Sequence, residues 1–286
     1  MLRTINNGDA IMLCYFESFR LLIDLSEAIF EGTTLEGYKI TANKAMHKMN
    51  YLPEIPRDRY GTWESIQWRY ISVHIVEGDT ARKIGFGITN FEFSGTEREI
   101  LTKGETNCIR NFSILPINIY NNEVFFIKKL QDYDKIMTRI STLKGIDVTC
   151  EIESIIPKDG NIEDMKGIID NLCYILSVAR GTKIQWIYCN LYNIEGKIIS
   201  KMHFSRITKP YCPLPIIDPS IQGSNETKYF VETAYPIYMR KRDQYNLDRG
   251  IIDTYLAGKA EDDFLEQRGL KLSVAIEMFK DVFLKT

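Results

Sequence analysis

A chain of 286 residues is long enough for one large domain or two modest ones. Its 44% apolar and 26% charged side chains are an ordinary globular balance, which sets disorder aside. The formal net charge of −2 excludes a surface built throughout for nucleic acid, while leaving room for a local basic patch.

Residues 11–30 place Met12, Phe16, Phe19, Leu22, Ile23 and Ile29 or Phe30 at helical spacing and predict a helix stopped by Gly32. Residues 31–61, polar and holding Pro53 and Pro56, read mostly as loop. Strand character begins at Trp63 in SIQWRYISVHIV and returns in residues 84–93. PINIYNNEVFFIKKL predicts a hairpin turning at Asn121-Asn122. A short helix is expected over 132–143 and a strand over 146–156, stopped by Pro157.

Residues 161–179 carry the strongest helix signal. Asn161 can cap it, Glu163 and Asp164 suit its first turn, and Gly181 can end it. A hairpin follows, turning at Asn193-Ile194-Glu195-Gly196. From residue 224 the texture becomes helical, with helices expected over 225–242 (Pro236 inside), 247–257 and 260–284. The last shows Leu265, Leu272, Ile276, Phe279 and Phe283 along one side, which asks for a partner surface in this chain or another. The expected architecture is therefore α+β, with a mixed or antiparallel sheet domain over 1–222 and a helical segment over 223–286. The border lies in the proline-rich YCPLPIIDPSIQGSN.

The cysteines, Cys14, Cys108, Cys150, Cys173, Cys189 and Cys212, form no Cys-x-x-Cys pair and read as reduced thiols, which favours a cytoplasmic home. His47, His74 and His203 have no companion at metal-site spacing, so neither a metal nor a cofactor is expected. No run of about 18 apolar residues could span a membrane, and no N-terminal stretch reads as a signal peptide.

No phosphate loop, dinucleotide fingerprint or nucleophile elbow is present. Glu97, Glu99 and Glu105 lie near loop signals with nothing to fix their geometry, and Met239-Arg240-Lys241-Arg242 suits a helix end. Arg69 and His74 have an Arg-x-x-x-x-His spacing, but in an alternating strand positions five apart face opposite ways. The candidate binding feature is a basic strip of Lys201, His203 and Lys209, with Arg206 leaning to the other side and no acid from Lys197 to Ile217. Counting outward from the turn sets Tyr192 opposite Ile198, Tyr188 opposite Met202 and Trp186 opposite Phe204 as a core face. That register separates the aromatics from the cations, and a slip of one residue reverses it. The bland reading of the strip is a solvated sheet face; the sharper one is a set of phosphate contacts.

Residues 176–218, LSVARGTKIQWIYCNLYNIEGKIISKMHFSRITKPYCPLPIID, resemble a family of prokaryotic proteins similar in outline to ApeA-like proteins. So do ETKYFVETAYPIYMRKRDQYNLDRGIIDTYLAGKAEDDFLEQRGLKLSVAIEMF and ITNFEFSGTE. The resemblance implies a β-rich N-terminal region followed by a helical region related to HEPN domains. It also implies association with RNA, since several HEPN proteins cleave RNA and serve antiviral defence. The family's catalytic Arg and His lie on a late helix that this chain, ending at Thr286, is expected to lack, so no catalytic residue carries over. The expected role is a non-catalytic sensor or binding module of a HEPN-type protein. The alternatives are an RNA-cleaving enzyme and a structural protein that self-associates or binds a helical partner through its C-terminal helices.

Overall fold

The computed structural model describes residues 2–4, 10–16, 29–47, 62–76, 80–95, 102–103, 106–107, 113–119, 123–143, 145–157, 160–204, 215–217, 225–259 and 264–284. The fold is α+β, and its strands pair antiparallel at the registers given below. Chain contacts divide it into two compact units, Met1–Gly85 with Ile187–Ile207, and Phe86–Trp186 with Thr208–Thr286.

In the first unit β1 (Leu2–Thr4) pairs with β2 (Ala10–Phe16), and β3 (Ile29–Thr33) pairs with β4 (Lys39–His47). The long β5 (Thr62–His74) organises them. One edge carries β4; the other carries β2 along its first half and β13 (Ile198–Phe204) along its second. These strands correct two expectations. Residues 10–16 and 29–33 are strands and not parts of one helix, and residues 39–47 are strand and not loop. The run AIMLCYF is rich in β-suited side chains, and its pairing with all seven residues from Trp68 back to Thr62 decides the matter over local periodicity. Trp68, Ile71, Ile40 and Ala42 are core residues of this unit.

The second unit contains the C-terminal part of β6 (Lys83–Thr89), then β7 (Thr102–Lys103) paired with β8 (Thr106–Asn107). The hairpin of β9 (Ile114–Ile119) and β10 (Glu123–Lys129) follows, then α1 (Tyr133–Leu143) and β11 (Val148–Ile155). Ile84 aside, its sheet core is Phe86, Ile88, Leu115, Ile117, Phe125, Ile127 and Ile152, all wholly buried. Helix α2 (Ile162–Arg180) is built as its sequence dictates. The Asn161 side chain accepts from the Glu163 amide at 3.1 Å, and Gly181 ends it at φ 67°, a left-handed conformation that suits glycine. Ser177 fastens the exit, donating to the Cys173 carbonyl at 2.6 Å and accepting from the Ile184 amide at 2.8 Å.

Beyond β12 (Trp186–Tyr192) and β13, the chain forms α3 (Asn225–Tyr245), a π-helical turn (Leu247–Ile252), α4 (Asp253–Lys259) and α5 (Leu265–Leu284). These helices share a unit with residues 86–186, whereas the sequence suggested a border near residue 222. Val231, Tyr235 and Tyr238 bury one face of α3, which packs on α2 and β9. Glu232 accepts from both the backbone and the side-chain nitrogen of Asn118 on β9, at 2.7 and 3.0 Å. Lys183 pairs with Asp253, and Arg242 donates to Asn171. On α5, Ala275 is buried, while Leu265 and Ile276 are 76% and 64% exposed. Among the described residues no helix is long and apolar enough to cross a membrane.

Candidate nucleic-acid interface

The β12–β13 hairpin turns as its residues require. The Asn193 amide donates to the Lys197 carbonyl at 2.9 Å, and the Asn193 side-chain oxygen accepts from the amides of Glu195 and Lys197. Gly196, at φ 76°, occupies the left-handed position. Tyr192 then pairs with Ile198, as counting outward from the turn predicts.

The register shifts at the next step. Leu191 pairs with Ser200, Asn190 with Lys201, Cys189 with Met202 and Tyr188 with His203, leaving Ile199 as the extra residue of a bulge. The Ile199 carbonyl is claimed by the two residues that follow β5, accepting from the amides of Ile75 at 2.8 Å and Val76 at 3.2 Å. Its side chain is buried.

This bulge corrects the expected faces. Ile187, Cys189 and Leu191 of β12 are buried, and they, not the tyrosines, form its core side in the first unit. Tyr188, Asn190 and Tyr192 are half-buried on the opposite side and share it with Lys201 and His203. Aromatic and cationic side chains therefore lie on one face. The ring centroids of Tyr188 and His203 are 6.1 Å apart. The Lys83 ammonium sits 4.3 Å from the centre of the Tyr192 ring, and Asn190 Nδ2 donates to Tyr192 Oη at 3.4 Å. Lys201 is exposed. On β5 the strip meets Val73 opposite Lys201 and the buried Ile71 opposite His203.

Comparison of the chain with protein-family models, with curated proteins and with solved structures finds no match. The resemblance to ApeA-like and HEPN-related proteins accordingly stays an expectation from sequence.

Of the predicted strip, Lys201 and His203 are brought together on β13, while Arg206 and Lys209 lie outside the described residues, as do Glu97, Glu99, Glu105 and the Asn121-Asn122 turn. Lys83, Tyr188, Asn190 and Tyr192 were missed as partners of the strip. Only the alternative of a one-residue slip pointed to the tyrosines, and nothing local pointed to Lys83. Arg69 and His74 both fall on β5, and exposed His74 meets Ser72 Oγ at 3.3 Å. Among the described residues no three His, Cys, Asp or Glu side chains gather at one point. The 239–242 basic run lies within α3, where Arg240 Nε donates to the Pro236 carbonyl at 3.4 Å.

His203 titrates below its ordinary value of 6.5, first because burial disfavours the imidazolium and second because Lys201 stands beside it. At neutral pH the strip is thus a charged lysine beside a neutral imidazole. The unfolded chain takes up this proton near pH 6.5 and the folded chain only at lower pH. Stability is full above about pH 6.5 and falls as the pH drops through the window below it. Urea midpoints at pH 7.5 and pH 5 should show this loss, and His203→Gln should reduce it. An equal loss in the variant would assign the pH dependence to other groups.

Proposed function

We propose that this chain is a binding module without catalysis of its own, which takes single-stranded RNA along the β12–β13 face and serves as the sensor part of a HEPN-type effector of the antiviral-defence kind. One observation carries the RNA reading. The Ile199 bulge sets Tyr188, Asn190 and Tyr192 on the same side as Lys201 and His203. Aromatic rings give bases a sequence-tolerant stacking surface, and neighbouring ammonium groups hold the backbone. The local strip overrides the net charge of −2 because phosphate contacts act over about a Debye length. The sensor role rests on the resemblance of residues 176–218 and 226–279 to the HEPN-related family.

Fluorescence anisotropy with a labelled uridine oligomer and a duplex of the same length tests the reading. The single strand should bind better than the duplex. If Lys83 and Lys201 each hold one phosphate, log affinity should fall with log salt at a slope of about −1.4. Lys201→Ala should flatten that slope by about 0.7. Tyr188→Ala should weaken binding by about 1–3 kcal/mol with the slope unchanged, as loss of stacking requires. Equal binding by the two variants and the parent chain would remove the β12–β13 face as the RNA surface.

A further inference from the structure

Around Glu92 and Phe93, in the second unit, three buried side-chain nitrogens have no acceptor among the described residues. Arg180, the last residue of α2, is 2% exposed. Its Nη2 donates to Glu92 Oε2 at 2.7 Å, but Nε and Nη1 are buried with no acceptor. The Glu92 side chain is 39% exposed, so a wholly buried cation is matched by a carboxylate partly in water. Two residues back, Asn90 Nδ2 is also buried without an acceptor.

The next residue brings a second cation. The Phe93 amide donates to Tyr133 Oη at 3.0 Å. The Lys129 ammonium stands 4.4 Å from the centre of the Tyr133 ring and 5.5 Å from that of Phe93. Neither neighbouring acid group offsets it, because burial pushes the Tyr133 phenol far up and the Cys150 thiol up to about 12. Among the described residues, Arg180 stands at the Glu92 carboxylate and Lys129 at the Phe93 ring. The orphan nitrogens are all donors. Buried donors without acceptors, beside cationic side chains, are the complement of an oxyanion.

We propose that Glu92–Phe93, Arg180 and Lys129 form a binding site for a small oxyanion, the phosphate or carboxylate group of a ligand. The guanidinium supplies directed N–H donors and Lys129 supplies charge. Glu92 occupies one of the guanidinium nitrogens and competes with the incoming anion for it. The site does not rest on the RNA reading, since its residues belong to the second unit.

Calorimetric titration of the full chain with sodium phosphate, sulfate, acetate and formate, at ionic strength held constant with sodium chloride, tests the site. Arg180 is left intact, because removing a buried helix-end residue could unfold the unit. The variants are at the partly exposed Lys129 and Glu92. Saturable binding should appear at millimolar anion. Lys129→Met should weaken it about tenfold, and Glu92→Gln, which removes the competing carboxylate, should tighten it about tenfold. Phosphate and sulfate binding without acetate assigns a phosphate group, and the reverse assigns a carboxylate. No saturable heat from any anion, or binding that neither variant changes, would overturn the site and leave the Arg180 donors to buried water.

Discussion

Trp186→Ala is expected to destabilise the second unit by about 3–5 kcal/mol, the range for emptying a large aromatic position in a close-packed core. Trp186 is 1% exposed and meets the wholly buried Phe86 edge-on, with ring centroids 5.1 Å apart at 77°. Its indole nitrogen donates to Asp170 on α2 at 2.8 Å, so truncation also strips that carboxylate of a donor. Trp186→Phe keeps most of the apolar contact and gives up the hydrogen bond, so it should cost much less than alanine. Urea unfolding followed by far-ultraviolet circular dichroism measures both. An alanine variant within about 1 kcal/mol of the parent would mean that Trp186 does not hold α2 to the sheet.

Thr149→Val should cost about 2 kcal/mol although it changes almost no volume. Thr149 is wholly buried on β11. Its hydroxyl accepts from the Phe91 amide at 2.9 Å and donates to the Phe91 carbonyl at 2.9 Å, replacing the strand pairing that ends at Asn90. Asn90 turns the chain at φ 53°, a left-handed conformation that asparagine tolerates. Valine would leave the Phe91 amide buried without an acceptor, while Cys150 Sγ, 3.3 Å from the Phe91 carbonyl, keeps that oxygen partly satisfied. Thr149→Ser retains both hydrogen bonds and loses one methyl group, worth about 0.8 kcal/mol. Valine should therefore be the more harmful change. The opposite order in urea unfolding would show that the methyl group, and not the hydroxyl, holds residues 90–93 in place.

The parts of the fold legible in the sequence are those decided by neighbouring residues. Asn161, Glu163, Asp164 and Gly181 announce both ends of α2, and each plays the part its chemistry suggests. The Asn193–Gly196 turn is readable for the same reason. Strand β2 was misread because its apolar run satisfies helical and extended periods alike, and only its seven partners on β5 decide between them. Strand β4 was missed because KITANKAMH alternates too weakly to stand out from a polar segment. The candidate interface depended on a finer matter. Whether Ile199 joins the ladder or bulges out is settled by the amides of Ile75 and Val76, more than 120 positions away, and that choice moves every side chain after it to the other face. The cations around Glu92 and Phe93 were equally hidden, because Arg180 and Lys129 reach that segment only through the fold.

Photo-crosslinking tests the RNA surface most directly. The purified chain would be irradiated with single-stranded RNA carrying 4-thiouridine, digested and sequenced by mass spectrometry. Crosslinks should concentrate on Tyr188 and Tyr192, fall away in Tyr188→Ala and be suppressed by high salt. Efficient crosslinking that avoids residues 186–204, or that continues unchanged in Tyr188→Ala, would contradict an RNA-binding face on the bulged hairpin.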